Sequence, residues 1–142
     1  MSSKYYITWD EFHQDVKTLA KKLGKGRFNK IIAISRGGLS PAGILAYELD
    51  IRNSQAINVS SYDNNEFRPD EKVEIDCNVG TVDGQTLVVD DLSDSGRTFR
   101  LMRKLLPEAH FAAVYVKEQG KNVVDTCVRQ VPDEWIVFPW DL

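Results

Sequence analysis

Apolar and polar positions along the chain fall into two rhythms that alternate. In "TWDEFHQDVKTLAKKLG", Phe12, Val16, Leu19 and Leu23 recur every third or fourth residue, which puts them on one face of a helix. Thr8 and Glu11 have the spacing of a capping box, and Gly24 supplies the stop. "KIIAIS", Lys30 to Ser35, is an unbroken apolar run rich in β-branched residues and reads as a strand buried on both faces. "RGGLSP" is a turn, and "PAGILAYEL" a second helix with Ser40 as N-cap and Pro41 at its first position. "QAINVSSY" is a second strand. Residues 63–84 are polar and charged, with Pro69, Gly80 and Gly84, and read as a long loop with some strand; so long a loop in a small domain is usually functional or mobile. "TLVVDD" is a third strand. "TFRLMRKLLP" is a helix with Phe99, Met102, Leu105 and Leu106 inward and Pro107 ending it. "HFAAVYVK" is a fourth strand and "EWIVFPW" a short last one.

Strand and helix in alternation predict an α/β fold: a mostly parallel five-stranded sheet flanked by helices on both faces. No linker, repeat or low-complexity tract divides residues 1–142, so a single domain is expected. In such a sheet, ligands bind outside the carboxyl ends of the strands. Suspicious stretches fall at those ends: Ser35 to Gly38, Ser60 to Asp63, Asp90 to Thr98, and Lys117.

Composition narrows the choice. The net charge of −3 argues against a nucleic-acid partner, which would call for a basic face. "MSSKYYITWDEF" has no apolar stretch of signal-peptide length, and no segment is long and apolar enough for a transmembrane helix. Cys77 and Cys127 form no CxxC pair, the usage of a cytoplasmic protein with reduced thiols. His13 and His110 stand apart and have no ligand or triad spacing.

The chemistry concentrates in "VVDDLSDSGRT", Val88 to Thr98. Ser95-Gly96-Arg97-Thr98 lies between a strand and a helix, where backbone N–H groups and the helix terminus suit a phosphate. Asp90 and Asp91 would repel a phosphate; they suit hydroxyls or a divalent cation. A sugar phosphate satisfies both halves. The plain alternative is a strand-to-helix turn whose aspartates cap the helix.

This segment resembles the phosphoribosyl-pyrophosphate (PRPP) signature of the type I phosphoribosyltransferases. "AISRGGLSPAGILAYELDIR", "SSYD", "VKEQG" and "DEWIVFPWD" resemble the bacterial xanthine-guanine, or 6-oxopurine, branch, and the likeness runs from "YYITWDEF" to the end. The resemblance implies the type I fold, with a small hood from the termini (about 119–142 at the C-terminal side) and a mobile lid loop at about 63–84. It implies a Mg²⁺-dependent purine-salvage enzyme that moves ribose 5-phosphate from PRPP to N9 of xanthine, guanine or hypoxanthine and releases pyrophosphate. It also implies a homo-oligomer, a dimer or tetramer.

Residue by residue, the resemblance assigns PRPP to Arg36, Gly37, Arg68, Asp90, Asp91, Leu92, Ser93, Asp94, Ser95, Gly96, Arg97 and Thr98. Arg36 and Gly37 match the pyrophosphate loop, which relatives hold in a cis or strained peptide, here Ser35–Arg36. Arg68 matches a lid arginine, Asp91 the metal contact, and Asp90 the ribose contact. Ser95 to Thr98 match the 5′-phosphate cradle. Asp94 matches the general acid–base residue near purine N7. Lys117 matches the contact to the 6-oxygen, Trp135 the ring that stacks on the base, and Ile136 a backbone contact to it. Taken alone, Trp135 would read as a core residue. Arg97, Glu118-Gln119 and Val137-Phe138 depart from the family's usual residues, which bears on base preference. Two rivals stay open: transfer to another base, and a non-catalytic PRPP- or purine-sensing regulator on the same fold.

Overall fold

The computed structural model describes residues 3–61, 73–75 and 79–141. In chain order the elements are β1 (Lys4–Tyr6), α1 (Trp9–Leu23), β2 (Lys30–Ser35), α2 (Leu39–Glu48), β3 (Asn53–Ser61), β4 (Val73–Ile75), β5 (Thr86–Ser93) and α3 (Arg97–Leu105). There follow β6 (His110–Val116), a 3-10 helix (Glu118–Val123), β7 (Thr126–Gln130) and β8 (Trp135–Val137).

The main sheet has the order β4-β3-β2-β5-β6-β7. The strands from β3 to β7 in that order run parallel, and β4 adds to the edge antiparallel. This is the expected parallel sheet. The apolar run of β2 is buried because both faces are covered. Ile31 and Ala33 join a core with Phe12, Val16 and Leu19 of α1 and Leu45 of α2. Ile32 and Ile34 point the other way, onto Phe99 and Met102 of α3. Strand alternation thus assigns each residue to one of two cores.

α1 forms as its sequence dictates. The Glu11 N–H donates to Thr8 Oγ1 (3.1 Å) and the Thr8 N–H to Glu11 Oε1 (3.0 Å), completing the capping box. Gly24 ends the helix at φ 87°, a backbone that side-chain-bearing residues resist.

Three readings need correction. Ser40 is not the cap of α2: the helix starts at Leu39 after Gly38, with no side-chain cap. The Gly38 N–H already donates to Ile34 O at 2.7 Å, so the chain turns straight from β2 into the helix. Pro41 then sits inside the first turn, where a missing N–H costs nothing. Leu105 is 48% exposed, not inward. Residues 99, 102 and 105 each fall about 60° short of a full turn, so the side chain has drifted off the buried stripe by Leu105. Leu106 lies past the helix end and folds back onto the α3 core. Finally, β8 is a strand as expected but lies outside the main sheet. Its place there is taken by β7, which falls inside the stretch expected to form the hood.

β8 instead pairs in parallel with β1, Lys4 opposite Trp135 and Tyr5 opposite Ile136, forming a separate ribbon from the two ends of the chain. Most of the expected lid loop, including Arg68, lies outside the described residues. No helix among the described residues is long and apolar enough to cross a membrane.

Candidate active site

The carboxyl ends of β2, β5 and β6 open onto one side of the sheet, and the β1–β8 ribbon faces them. At the end of β2 the Ser35–Arg36 peptide bond is cis. Gly37 follows because nothing larger fits. A Cβ there would lie 2.7 Å from both carboxylate oxygens of Asp91, and one on Gly38 would run into the Val89 carbonyl. Missing side chains let the Arg36–Gly38 loop lie flat against β5.

β5 runs on through the aspartates to Ser93, two residues beyond the expected end, because its ladder with β6 continues from Asp90 opposite Ala113 to Ser93 opposite Val116. Burial, reinforced by the neighbouring Asp91 charge, pushes the Asp90 carboxyl well above the usual carboxylate range. Burial also raises Asp91, and Asp141 adds to it. Two adjacent carboxylates in such a place call for something that replaces lost water: hydroxyl donors or a cation. Beyond Ser93 the chain turns through Gly96, at φ 84°, into the N-terminus of α3. Residues Leu92 to Phe99 line a small pocket of about 90 Å³ there.

Lys117 directly follows β6 and is only 6% exposed. Its ammonium donates to Asp94 Oδ2 at 3.3 Å, and Asp133 lies 3.7 Å away. Gln119 Nε2 donates to Asp94 Oδ1 at 3.4 Å. This meeting is enforced by backbone. The Lys117 N–H donates to Ser93 O (3.0 Å), the Ser93 hydroxyl to Gly120 O (2.7 Å) and the Gly120 N–H to Lys117 O (2.9 Å). A Cβ on Gly120 would collide with the Ser93 and Asp94 carbonyls. We expect Gly120→Ala to cost about 1–3 kcal/mol, the usual range for overpacking. Thermal unfolding should show this as a Tm lower by about 2–4 °C per kcal/mol.

These groups share a cavity of about 580 Å³, lined by Arg36, Gly37, Asp91, Leu92, Asp94, Lys117, Trp135 and Ile136, among others. The small pocket adjoins it, with Leu92 and Asp94 common to both. The Trp135 ring is 66% exposed, against the core reading, while Ile136 is buried at 6%. Sequence reasoning missed Leu39, Ser40 and Trp140 as lining residues, and Gln119 and Asp133 as partners of Asp94 and Lys117. Gln119 and Asp133 come from the stretches around Lys117 and Trp135, but no local pattern marks them. Ser60 and Ser61 are described in backbone only, and Tyr62 and Asp63 lie outside the described residues.

A cavity with the Asp91 carboxylate, one buried cation and one open indole, beside a small pocket at the start of α3, has room for a sugar phosphate on one side and a flat polar ring on the other. Residues 6–142 match the family described as the phosphoribosyl transferase domain. The chain belongs to the phosphoribosyltransferase family. It is 49% identical over 141 residues to the xanthine-guanine phosphoribosyltransferase of Desulfotalea psychrophila, spanning 96% of this chain and 86% of that one. It is 47% identical over 140 residues to the protein of the same name from Nitratidesulfovibrio vulgaris strain Hildenborough, spanning 95% and 83%. Its fold superposes on the crystal structure of the purine phosphoribosyltransferase from Pyrococcus horikoshii with a TM-score of 0.82 at 31% identity, over 98% of this chain and 94% of that one.

The oxygens here that would suit a hard cation such as Mg²⁺ are the carboxylates of Asp90 and Asp91. Yet among the described residues no three His, Cys, Asp or Glu side chains cluster as a metal cage. A cation here would therefore draw most of its ligands from substrate oxygens and water, as Mg²⁺ commonly does.

Proposed function

We infer that the chain transfers ribose 5-phosphate from PRPP to N9 of a 6-oxopurine (guanine, xanthine or hypoxanthine) and releases pyrophosphate. It is a purine-salvage enzyme. The observation that carries the reading is the cavity in which Arg36, Asp91, Asp94, Lys117 and Trp135 meet, with the Leu92–Phe99 pocket adjoining it.

The roles follow from chemistry. Trp135 offers its open face to the purine, and Lys117, a donor only, meets the 6-oxygen. Backbone N–H groups of Ser95 to Thr98 and the α3 terminus hold the 5′-phosphate. Asp90 accepts from the ribose hydroxyls. Arg36 and the bare backbone of Gly37 take the pyrophosphate, and Arg68 would join from the loop. Asp91 is the candidate Mg²⁺ contact, and the bound ion would supply neutralising charge at the leaving pyrophosphate.

In the reaction the bond from C1′ to the pyrophosphate oxygen breaks, with its electron pair leaving on pyrophosphate. The N9–C1′ bond then forms from a purine lone pair. The purine gives up one proton, which Asp94 is placed to accept on the N7 side. Holding base and sugar in line while water is kept out is the protein's main task.

The test is pyrophosphate release from PRPP with each purine in turn, with and without Mg²⁺. Release should occur with 6-oxopurines, stop in excess chelator and return with added Mg²⁺. Full turnover in chelator would remove the metal from the proposal. PRPP binding without any release would favour a sensor on the same fold. Self-association into a dimer or tetramer belongs to the same proposal and is read by sedimentation.

A further inference from the structure

The β1–β8 ribbon presents Trp135 and Ile136 to the cavity, yet each of its strands has only three residues and neither joins the main sheet. A two-stranded ribbon this short does not hold its shape unaided. Beyond β8 it is held by apolar contact: Trp140 stacks on Phe138 at 4.8 Å and meets Phe12 of α1 edge-on. On the β1 side Tyr5 packs on the same apolar core, and polar contacts are added. Arg129 of β7 donates from Nη1 to the Tyr5 hydroxyl at 2.8 Å. Its Nε and Nη2 both reach Asp15 Oδ2 of α1 at 3.2 Å, and Glu11 Oε2 lies 3.8 Å from Nη2. The same Asp15 oxygen accepts from the hydroxyl of Tyr115, a fully buried residue of β6, at 2.7 Å. The guanidinium also contacts both rings, 5.0 Å from the Tyr115 centroid and 6.0 Å from that of Tyr5. One planar, many-donor group thus gathers β1, α1, β6 and β7, which a lysine could not do.

Tyr5 is the register partner of Ile136. We propose that Arg129 is a positioning residue for the purine half of the site: it latches Tyr5, and through the β1–β8 ladder sets Trp135 and Ile136 at their distance from Lys117. The proposal rests on the purine reading above for its consequence, but the latch itself does not. Tyr5, Asp15, Tyr115 and Arg129 line neither the cavity nor the Leu92–Phe99 pocket. Loosening it should therefore separate the two substrates, weakening the base and sparing PRPP.

Tyr5→Phe is the mild variant, because it removes one acceptor oxygen and keeps the ring. Arg129→Lys keeps the charge and loses the fork. Amide exchange is followed at Trp135, whose N–H donates to Ser3 O at 3.1 Å, and at Ile7, whose N–H donates to Val137 O at 3.0 Å, with β2 amides as the internal reference. In Tyr5→Phe these ribbon amides should exchange roughly tenfold faster, as local opening becomes easier, while β2 amides stay unchanged. The KM for guanine should rise about 3–10-fold, the loss expected of one charge-assisted bond acting at a distance, and the KM for PRPP should not move. Arg129→Lys should do both to a larger extent. Ribbon exchange at the wild-type rate in both variants overturns the latch. Faster exchange with an unmoved guanine KM, or with both KM values raised alike, overturns the positioning role. If the wild type uses no purine, the proposed function fails separately, and the exchange rates still decide whether the latch exists.

Discussion

Asp94→Asn should cut turnover by about 10²–10⁴ while leaving the fold and PRPP affinity near wild type, the range that general acid–base groups supply. Asn keeps the shape of Asp94, so the cavity should not collapse. What changes is the chemistry of two contacts. Asp94 accepts from Lys117 Nζ at 3.3 Å and from Gln119 Nε2 at 3.4 Å. Asn can accept on one oxygen only and turns a donor toward the other partner. It also cannot take up the proton that the purine releases as its bond to C1′ forms. The measurement is kcat for guanine under saturating Mg²⁺ and PRPP, with PRPP binding followed separately. A variant with near-normal kcat would take Asp94 out of the chemistry and leave it as a tether for Lys117.

Features written locally in the sequence were legible. α1 could be read because its cap, its buried face and its glycine stop lie within one short stretch. The stretch from Asp90 to Thr98 was legible as a strand end, a small turn and a helix start for the same reason: it is continuous in the sequence. What failed depended on contacts between distant segments. The start of α2 is set by how closely Gly38 approaches Ile34 and Val89, which no propensity encodes. β7 escaped notice because "TCVRQ" is half-buried at a sheet edge and shows neither alternation nor an apolar run. Trp135 illustrates the limit well. Its identity fits a core residue or an exposed platform equally, and only the pairing of β8 with β1, away from the main sheet, leaves the ring open. Gln119 meets Asp94 because the 3-10 helix folds back on the end of β5, across 25 residues of sequence.

The largest effect on selectivity should come from Lys117. The residue is nearly buried, at 6% exposed, and its backbone is held by the bond to Ser93 and the tight approach of Gly120. Its ammonium is tethered to Asp94 at 3.3 Å. A 6-oxopurine presents an acceptor at position 6, whereas adenine presents an amino donor, and lysine offers donors alone. With adenine in the slot, two donors would face each other where water has been displaced. Each unpaired buried group costs about 1–3 kcal/mol, more when charged. Together they correspond to a preference of about 10²–10⁴ for guanine or hypoxanthine over adenine in kcat/KM. Lys117→Met keeps the apolar stem and removes the charge. It also strips Asp94 and Asp133 of their cation, so activity should fall with every base. The informative quantity is therefore the ratio of guanine to adenine, which should shrink toward unity. Guanine, xanthine and hypoxanthine differ at position 2, away from the lysine, and their order should change little. A wild type that uses adenine as well as guanine, or a Lys117→Met variant that retains the wild-type ratio, would mean that the base is read by other groups, with Ile136 and Asp141, which also line the cavity, the first to examine.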